Sequence, residues 1–145
     1  LRGFIGSAYY WPAGPAVQTG NDDPVVGFDC SGLVSEGLRS IGAIGAYERL
    51  SSGQIAERFA ACRLWRKGSM KAPPLQAGDI LVYGSSAADL YHVAVAVSDW
   101  QIIEAGGGRQ GIDTPAEAAA ANAFVRLRPA TFRDGELQLI IRLEA

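Results

Sequence analysis

Histidine is the scarcest chemically useful residue in this chain: His92 is the only one among 145 residues. Cysteine is nearly as rare, with Cys30 and Cys62, and methionine occurs once. One imidazole and two thiols provide no Cys/His cluster at zinc-ligand spacing, which argues against a zinc hydrolase; no metal and no other cofactor is expected. Two cysteines also fall short of the framework that staples a small secreted domain. Charge is sparse as well: 13 Lys and Arg against 15 Asp and Glu give a net charge of −2, without a basic run. Phosphate backbones are held by clustered Lys and Arg, so nucleic acid is not an expected partner, although a polyanion held locally is still allowed. No apolar run approaches the roughly 20 residues of a membrane helix, and no signal peptide is visible. A start at Leu1 rather than Met reads as a processed or excised domain, which leaves room for an export signal upstream.

The composition that is present is that of an ordinary globular domain, 48% apolar and 19% charged, and residues 1–145 suffice for one domain with its own core. The 18 glycines and 7 prolines imply many turns. Residues 1–28 are rich in aromatics, Gly and Pro, and read as a short helical or irregular start. A loop follows, with a turn at Asn21-Asp22-Asp23-Pro24. A helix is predicted from Phe28 or Asp29 to about Ile41, with Leu33, Val34, Leu38 and Ile41 on one face and Gly42 as a left-handed terminator. A second helix is predicted over 51–61, with Ser51 or Ser52 as N-cap and Ile55 and Phe59 as apolar contacts. Cys62 reads as a buried small hydrophobe.

Past Lys71-Ala72-Pro73-Pro74 the pattern turns to strands. These are Asp79–Tyr83, then 92–97 and 100–104 as a hairpin about Ser98-Asp99, with Gly106-Gly107-Gly108 breaking the ladder. Thr114-Pro115-Ala116-Glu117 is a capping box opening a short Ala-rich helix that ends near Asn122. Strands over 123–128 and 136–143, joined at Arg133-Asp134-Gly135, close the chain. Helices followed by a run of antiparallel strands give an α+β class, with N-terminal helices packed on a central antiparallel sheet.

The chemistry centres on Gly27-Phe28-Asp29-Cys30-Ser31-Gly32-Leu33-Val34. A helix N-terminus favours the thiolate of Cys30, and the one imidazole, His92, is the histidine base available to it. Taken alone, a lone cysteine at a helix start is more often buried packing, and a lone histidine more often structural. His92 is expected at the start of a strand, after a loop over 84–91. Glu104 lies twelve residues on. Strand alternation puts both on one face of a hairpin with an odd loop, directly opposite each other when that loop has three or five residues. A carboxylate there would orient the imidazole and stabilise its charged form, where otherwise Glu104 is an exposed strand residue. If Cys30 is the nucleophile, it must stay out of a disulfide.

These segments resemble the NlpC-type cysteine peptidases, the bacterial cell-wall branch of the papain-like clan. Gly6-Ser7-Ala8-Tyr9-Tyr10-Trp11 resembles the family's Gly-x-Pro-Tyr-x-Trp, and 27–34 resembles its nucleophile segment almost letter for letter. Arg49-Leu50-Ser51-Ser52-Gly53-Gln54 is similar to its Arg-Thr-Ser-x-x-Gln. Leu75-Gln76-Ala77-Gly78-Asp79-Ile80 is similar to Leu-x-Pro-Gly-Asp-Leu, and His92-Val93-Ala94-Val95 to His-Val-Gly-Ile. The resemblance implies Cys30 as nucleophile, His92 as general base and Glu104 as the third polar residue, a position where His, Asn or Gln is usual. It places Tyr9, Asp29 and Ser31 on the substrate side. Trp11-Pro12-Ala13-Gly14 departs from the usual Trp-Gly-Gly, and 16–24 reads as an insertion. The implied activity is hydrolysis of an amide in peptidoglycan stem peptides, typically between γ-D-Glu and a diamino acid. A wall-binding or phage-tail module without turnover is the alternative, and transfer or amidase chemistry on another γ-linked amide is a third. The implied place of action is secreted, at the cell envelope, or on a phage virion.

Overall fold

The computed structural model describes residues 8–9, 17–20, 23–28, 30–106 and 124–143. The chain divides into two compact units, Leu1–Arg49 with Glu104–Arg126, and Leu50–Ile103 with Leu127–Ala145. Both carry strands and a helix, and the class is α+β, as expected.

In the first unit, strand replaces the expected helical or irregular start. It holds β1 (Ala8–Tyr9), β2 (Val17–Gly20) and β3 (Asp23–Phe28). β2 and β3 are antiparallel, Val17 opposite Val26 and Gly20 opposite Asp23, and β1 runs parallel to β3 with Tyr9 opposite Phe28. Val17, Val25, Val26 and Phe28 are β-branched or aromatic, which suits a pleated surface. Of the turn cluster, Asp23 and Pro24 are strand; Pro24 lies near the start of β3, ahead of the stretch that β1 pairs with, a position Pro tolerates. Asn21 and Asp22 lie outside the described residues.

Helix α1 (Cys30–Ser40) follows. Leu33, Val34 and Leu38 are fully or nearly fully buried, but Ile41 is 68% exposed. The reason is the helix end. Gly42 takes φ +74°, its N–H donates to Arg39 O (3.0 Å) and the Ala43 N–H to Leu38 O (2.9 Å). This is a Schellman cap, and Ile41, one step past the last helical residue, has left the buried stripe. Arg39 is held by Glu36 at 2.6 Å and donates to Glu48 O at 2.7 Å.

The second unit opens with α2 (Ser52–Arg58), N-capped by Ser51 in a capping box: Gln54 N–H to Ser51 Oγ (3.2 Å) and Ser51 N–H to Gln54 Oε1 (2.9 Å). It ends sooner than expected, and a 3-10 turn at Ala60–Cys62 leads into β4 (Arg63–Arg66), which the sequence pattern did not signal. Cys62 is half-buried rather than buried, because it sits on that turn at the sheet margin; its carbonyl accepts from Arg142 N–H at 3.1 Å.

β5 (Ile80–Ser86), β6 (Asp89–Ala96), the first half of β7 (Gln101–Gly106) and β9 (Leu137–Ile141) complete the sheet, in the order β7-β6-β5-β9-β4 with antiparallel neighbours; from Glu104 on, β7 belongs to the first unit. β8 (Phe124–Pro129) begins in the first unit, where Phe124 pairs with Ala8 of β1, and runs into the second. The expected closing strands are therefore present, joined by a turn that includes a 3-10 segment at Asp134–Glu136. Gly106 ends β7; Gly107, Gly108 and the expected Ala-rich helix lie outside the described residues.

Every residue from Ile80 to Gly84 is buried, so β5 is covered on both faces. Leu81, Tyr83, Ala94, Ala96, Ile102, Leu137 and Ile140 form one cluster, with Trp65 and Leu75 packed against it. Full burial of a large aliphatic side chain contributes about 1.5–3 kcal/mol, which makes this cluster the anchor of the unit. Its lower end is closed by Asp79, 1% exposed. Asp79 accepts two hydrogen bonds from Arg142 (2.8 and 2.7 Å) and one from Gln76 N–H (2.9 Å).

At the upper end both partners of β5 change register. The β5–β6 pairing shifts after Tyr83, and the β5–β9 pairing shifts between Val82 and Tyr83. Gln138, left out of the ladder, donates Nε2–H to Gly84 O at 2.9 Å. A Cβ on Gly84 would sit 2.1 Å from the Asp89 carbonyl oxygen, so this bulge needs glycine. Gly84→Ala is expected to destabilise by about 1–3 kcal/mol, read as a lowered urea midpoint. Arg142→Leu strands a buried carboxylate, whereas Asp79→Leu/Arg142→Leu removes both partners. The single variant is expected to have the lower midpoint; the reverse order would show that the Gln76 N–H alone keeps the Asp79 carboxylate satisfied.

Candidate active site

Cys30 is the first residue of α1, separated from the end of β3 by one residue. The strand delivers the chain to the helix start, and an 11-residue helix has enough aligned peptide dipoles to place positive partial charge there. Ser31, Gly32 and Ser35 are buried; these small side chains let the first turns of the helix sit close against their surroundings. Cys30 is half-buried, and neither cysteine is in a disulfide. Tyr9 ends β1, opposite Phe28. Asp29 lies outside the described residues.

His92 belongs to the second unit and is 7% exposed. It is the fourth residue of β6 rather than the first residue after a loop. The expected loop is mostly ladder: Gly84–Ser86 and Asp89–Tyr91 are strand about a turn at Ala87-Ala88. The glycine-permitted bulge lets the hairpin continue past Tyr83. His92 pairs with Tyr83, and their rings meet at 5.5 Å between centroids, tilted by 47°. Tyr83 is fully buried, so the imidazole rests on a fixed aromatic wall. Beside it Tyr91 donates its hydroxyl to Glu136, and that hydrogen bond holds the phenol above its ordinary pKa, protonated at neutral pH.

Glu104 is on β7 and fully buried, not an exposed strand residue. The register of the hairpin corrects the expected direct pairing. Val95 lies opposite Ile103 and Ala96 opposite Ile102, two residues out from the register that sets His92 directly opposite Glu104. The turn is centred on Asp99 rather than on Ser98, where the direct pairing would centre it. Val97 N–H donates to Gln101 O (3.0 Å), and Ser98 Oγ accepts from Gln101 N–H (3.2 Å).

Sequence reading missed Tyr83, because its neighbour His92 is known only once the β5–β6 register is known. It also missed Gln138, whose role depends on a bulge. Among the described residues no three His, Cys, Asp or Glu side chains come together as a metal site. No helix among the described residues is long and apolar enough to cross a membrane.

The model of the NlpC/P60 family matches residues 6–128. Among solved structures, the P60 domain of the M. avium subspecies paratuberculosis antigen MAP1204 is similar. It has 24% identity and a TM-score of 0.57, over 97% of this chain and 87% of that one. RipD of Mycobacterium tuberculosis, described as a non-catalytic NlpC/p60 domain protein adapted to peptidoglycan binding, is 22% identical with a TM-score of 0.59, over 99% and 91%. The NlpC/p60 domain of the peptidoglycan hydrolase SagA is 22% identical with a TM-score of 0.56, over 98% and 92%. No curated protein matches the chain. The structural likenesses speak for a shared fold, and with a family match over most of its length the chain belongs to the NlpC/P60 family.

Proposed function

We propose that the chain is a cysteine endopeptidase that hydrolyses an amide of peptidoglycan stem peptides, the bond between γ-D-Glu and a diamino acid, through a Cys30 thioacyl intermediate. The observation that carries this reading is Cys30 as the first residue of an 11-residue helix, half-buried and outside any disulfide, where the helix N-terminus directs positive partial charge at its sulfur. The family match and a hydrolase among similar structures support the substrate class.

In this reading the Cys30 thiolate attacks the scissile carbonyl, forming the C–S bond and a tetrahedral oxyanion. The N-terminal end of α1, with the Cys30 backbone N–H, stabilises that charge. The oxyanion collapses as His92 gives its proton to the leaving amine. His92 then takes a proton from water, which attacks the thioester and releases the acid and the thiol. Glu104 orients and charges the imidazole. Tyr9, Asp29 and Ser31 shape the substrate side. The place of action would be the cell envelope, reached by secretion or on a phage virion.

A second reading, a peptidoglycan-binding domain without turnover, is favoured by the likeness to RipD. Digestion of purified peptidoglycan and defined stem peptides, with products read by mass spectrometry, separates the two. Wild type is expected to cleave one amide, and Cys30→Ala to lose on the order of 10⁴-fold or more in rate. Binding without cleavage by wild type would establish the second reading, and products joined to an added amine would indicate acyl transfer. Glu104→Gln is expected to move the basic limb of the pH–rate profile to lower pH, because loss of a nearby anion disfavours the imidazolium; an unmoved limb removes Glu104 from the catalytic set.

A further inference from the structure

The second unit holds an open groove of about 810 Å³, within the range of small-ligand sites. α2 forms one side and β9 the floor, while the turn after β4 and the tip of the β5–β6 hairpin close the ends. The tip is the same hairpin strand that carries His92 three residues later. Small residues keep the groove empty: Gly53, Ala87 and Ala88 line it, and a Cβ on Gly53 would meet nothing within 4 Å.

Its charges are of both signs. Arg63, Arg66 and Lys67 line it together with Glu57 and Asp89. Lys67 is anchored, its Nζ donating to Gly135 O at 3.0 Å and its backbone N–H to Gln138 O at 2.8 Å. Asp89 accepts from Ser85 Oγ at 2.5 Å. Among the described residues neither Arg63 nor Arg66 forms an ion pair. Two guanidiniums on one short strand, each able to grip a carboxylate with two parallel hydrogen bonds, are therefore open to an anionic ligand. The two acids oppose a polyanion and complement an ammonium group instead.

We infer that this groove is a subsite for a zwitterionic peptide, with Arg63 and Arg66 taking a carboxylate and Glu57 and Asp89 an ammonium. The inference rests on the proposed substrate class: a stem peptide containing a diamino acid carries both groups. It adds a site, built wholly from second-unit residues, that holds a charged end of the wall peptide.

The test is calorimetric titration of Cys30→Ala protein with a stem peptide, the same peptide with its carboxylates amidated, and poly(glycerol phosphate). Binding of the unmodified peptide is expected to weaken by about tenfold to a hundredfold in Arg63→Ala/Arg66→Ala. The amidated peptide should bind as weakly to the parent and lose nothing further in the double variant. Gly53→Trp, at a position where an added Cβ meets nothing within 4 Å, should block the groove independently, with matched thermal melts showing that each variant is folded. Equal binding by all variants, no peptide binding at all, or tighter binding of the phosphate polymer would overturn the inference. With Cys30 intact, the arginine variant should raise KM and keep kcat. Cleavage with an unchanged KM sinks the groove and spares the hydrolase. Charge-dependent binding without any cleavage sinks the hydrolase and spares the groove.

Discussion

Burial of β5 on both faces is the constraint from which the rest of the second unit follows. A strand that is polar on both faces can slip at little cost, and one buried face already resists it. A strand that is buried from Ile80 to Gly84 cannot, because each slip would exchange partners in two packed layers at once. The register of β6 and β9 against it is therefore unique. That register sets Tyr83 beside His92, and it does so at the point where the ladder has to bulge. The bulge is resolved by two complementary features: a glycine with no room for a Cβ, and a glutamine amide that satisfies the carbonyl beside it.

The two ends of that strand are closed by different physics. At the lower end the buried carboxylate of Asp79 is fully engaged by a forked guanidinium and a backbone N–H, and Arg142 reaches it from beyond the end of β9. Such a pair adds little net stability over apolar packing, but it penalises every register in which the charge is left alone. At the upper end the hairpin runs on into solvent, carrying Asp89 and Leu90 to the rim of a charged groove. A rigid base and an open tip on one hairpin put a tightly packed imidazole three residues from a recognition surface.

Legibility in the sequence tracked how local each determinant is. The Gly42 terminator of α1 and the Ser51 cap of α2 were readable, because caps are settled within a few residues, whereas α1 itself starts at Cys30, later than the expected Phe28 or Asp29. The strands of residues 8–28 were not, since Tyr9 and Phe28 gain their strand character from pairing with each other. β4 escaped for the same reason: Arg63-Leu64-Trp65-Arg66 is mostly exposed and has no alternating pattern of its own, yet it pairs with β9. Ile41 was misplaced by extending helical periodicity one residue past a cap that had already turned the chain.

The sequence by itself determined the chemistry available and the family: a single histidine, a thiol heading a helix, and the ordered segments between them. It determined the Gly42 and Ser51 caps as well, because these depend on neighbouring residues. The tertiary structure decided what distant residues do for one another. It put Tyr83 under His92, moved the centre of the hairpin turn to Asp99, buried Glu104 and gathered five charged residues around one groove. Each of these depends on strand register, and register is fixed by the simultaneous burial of residues far apart in the chain, which no local pattern encodes.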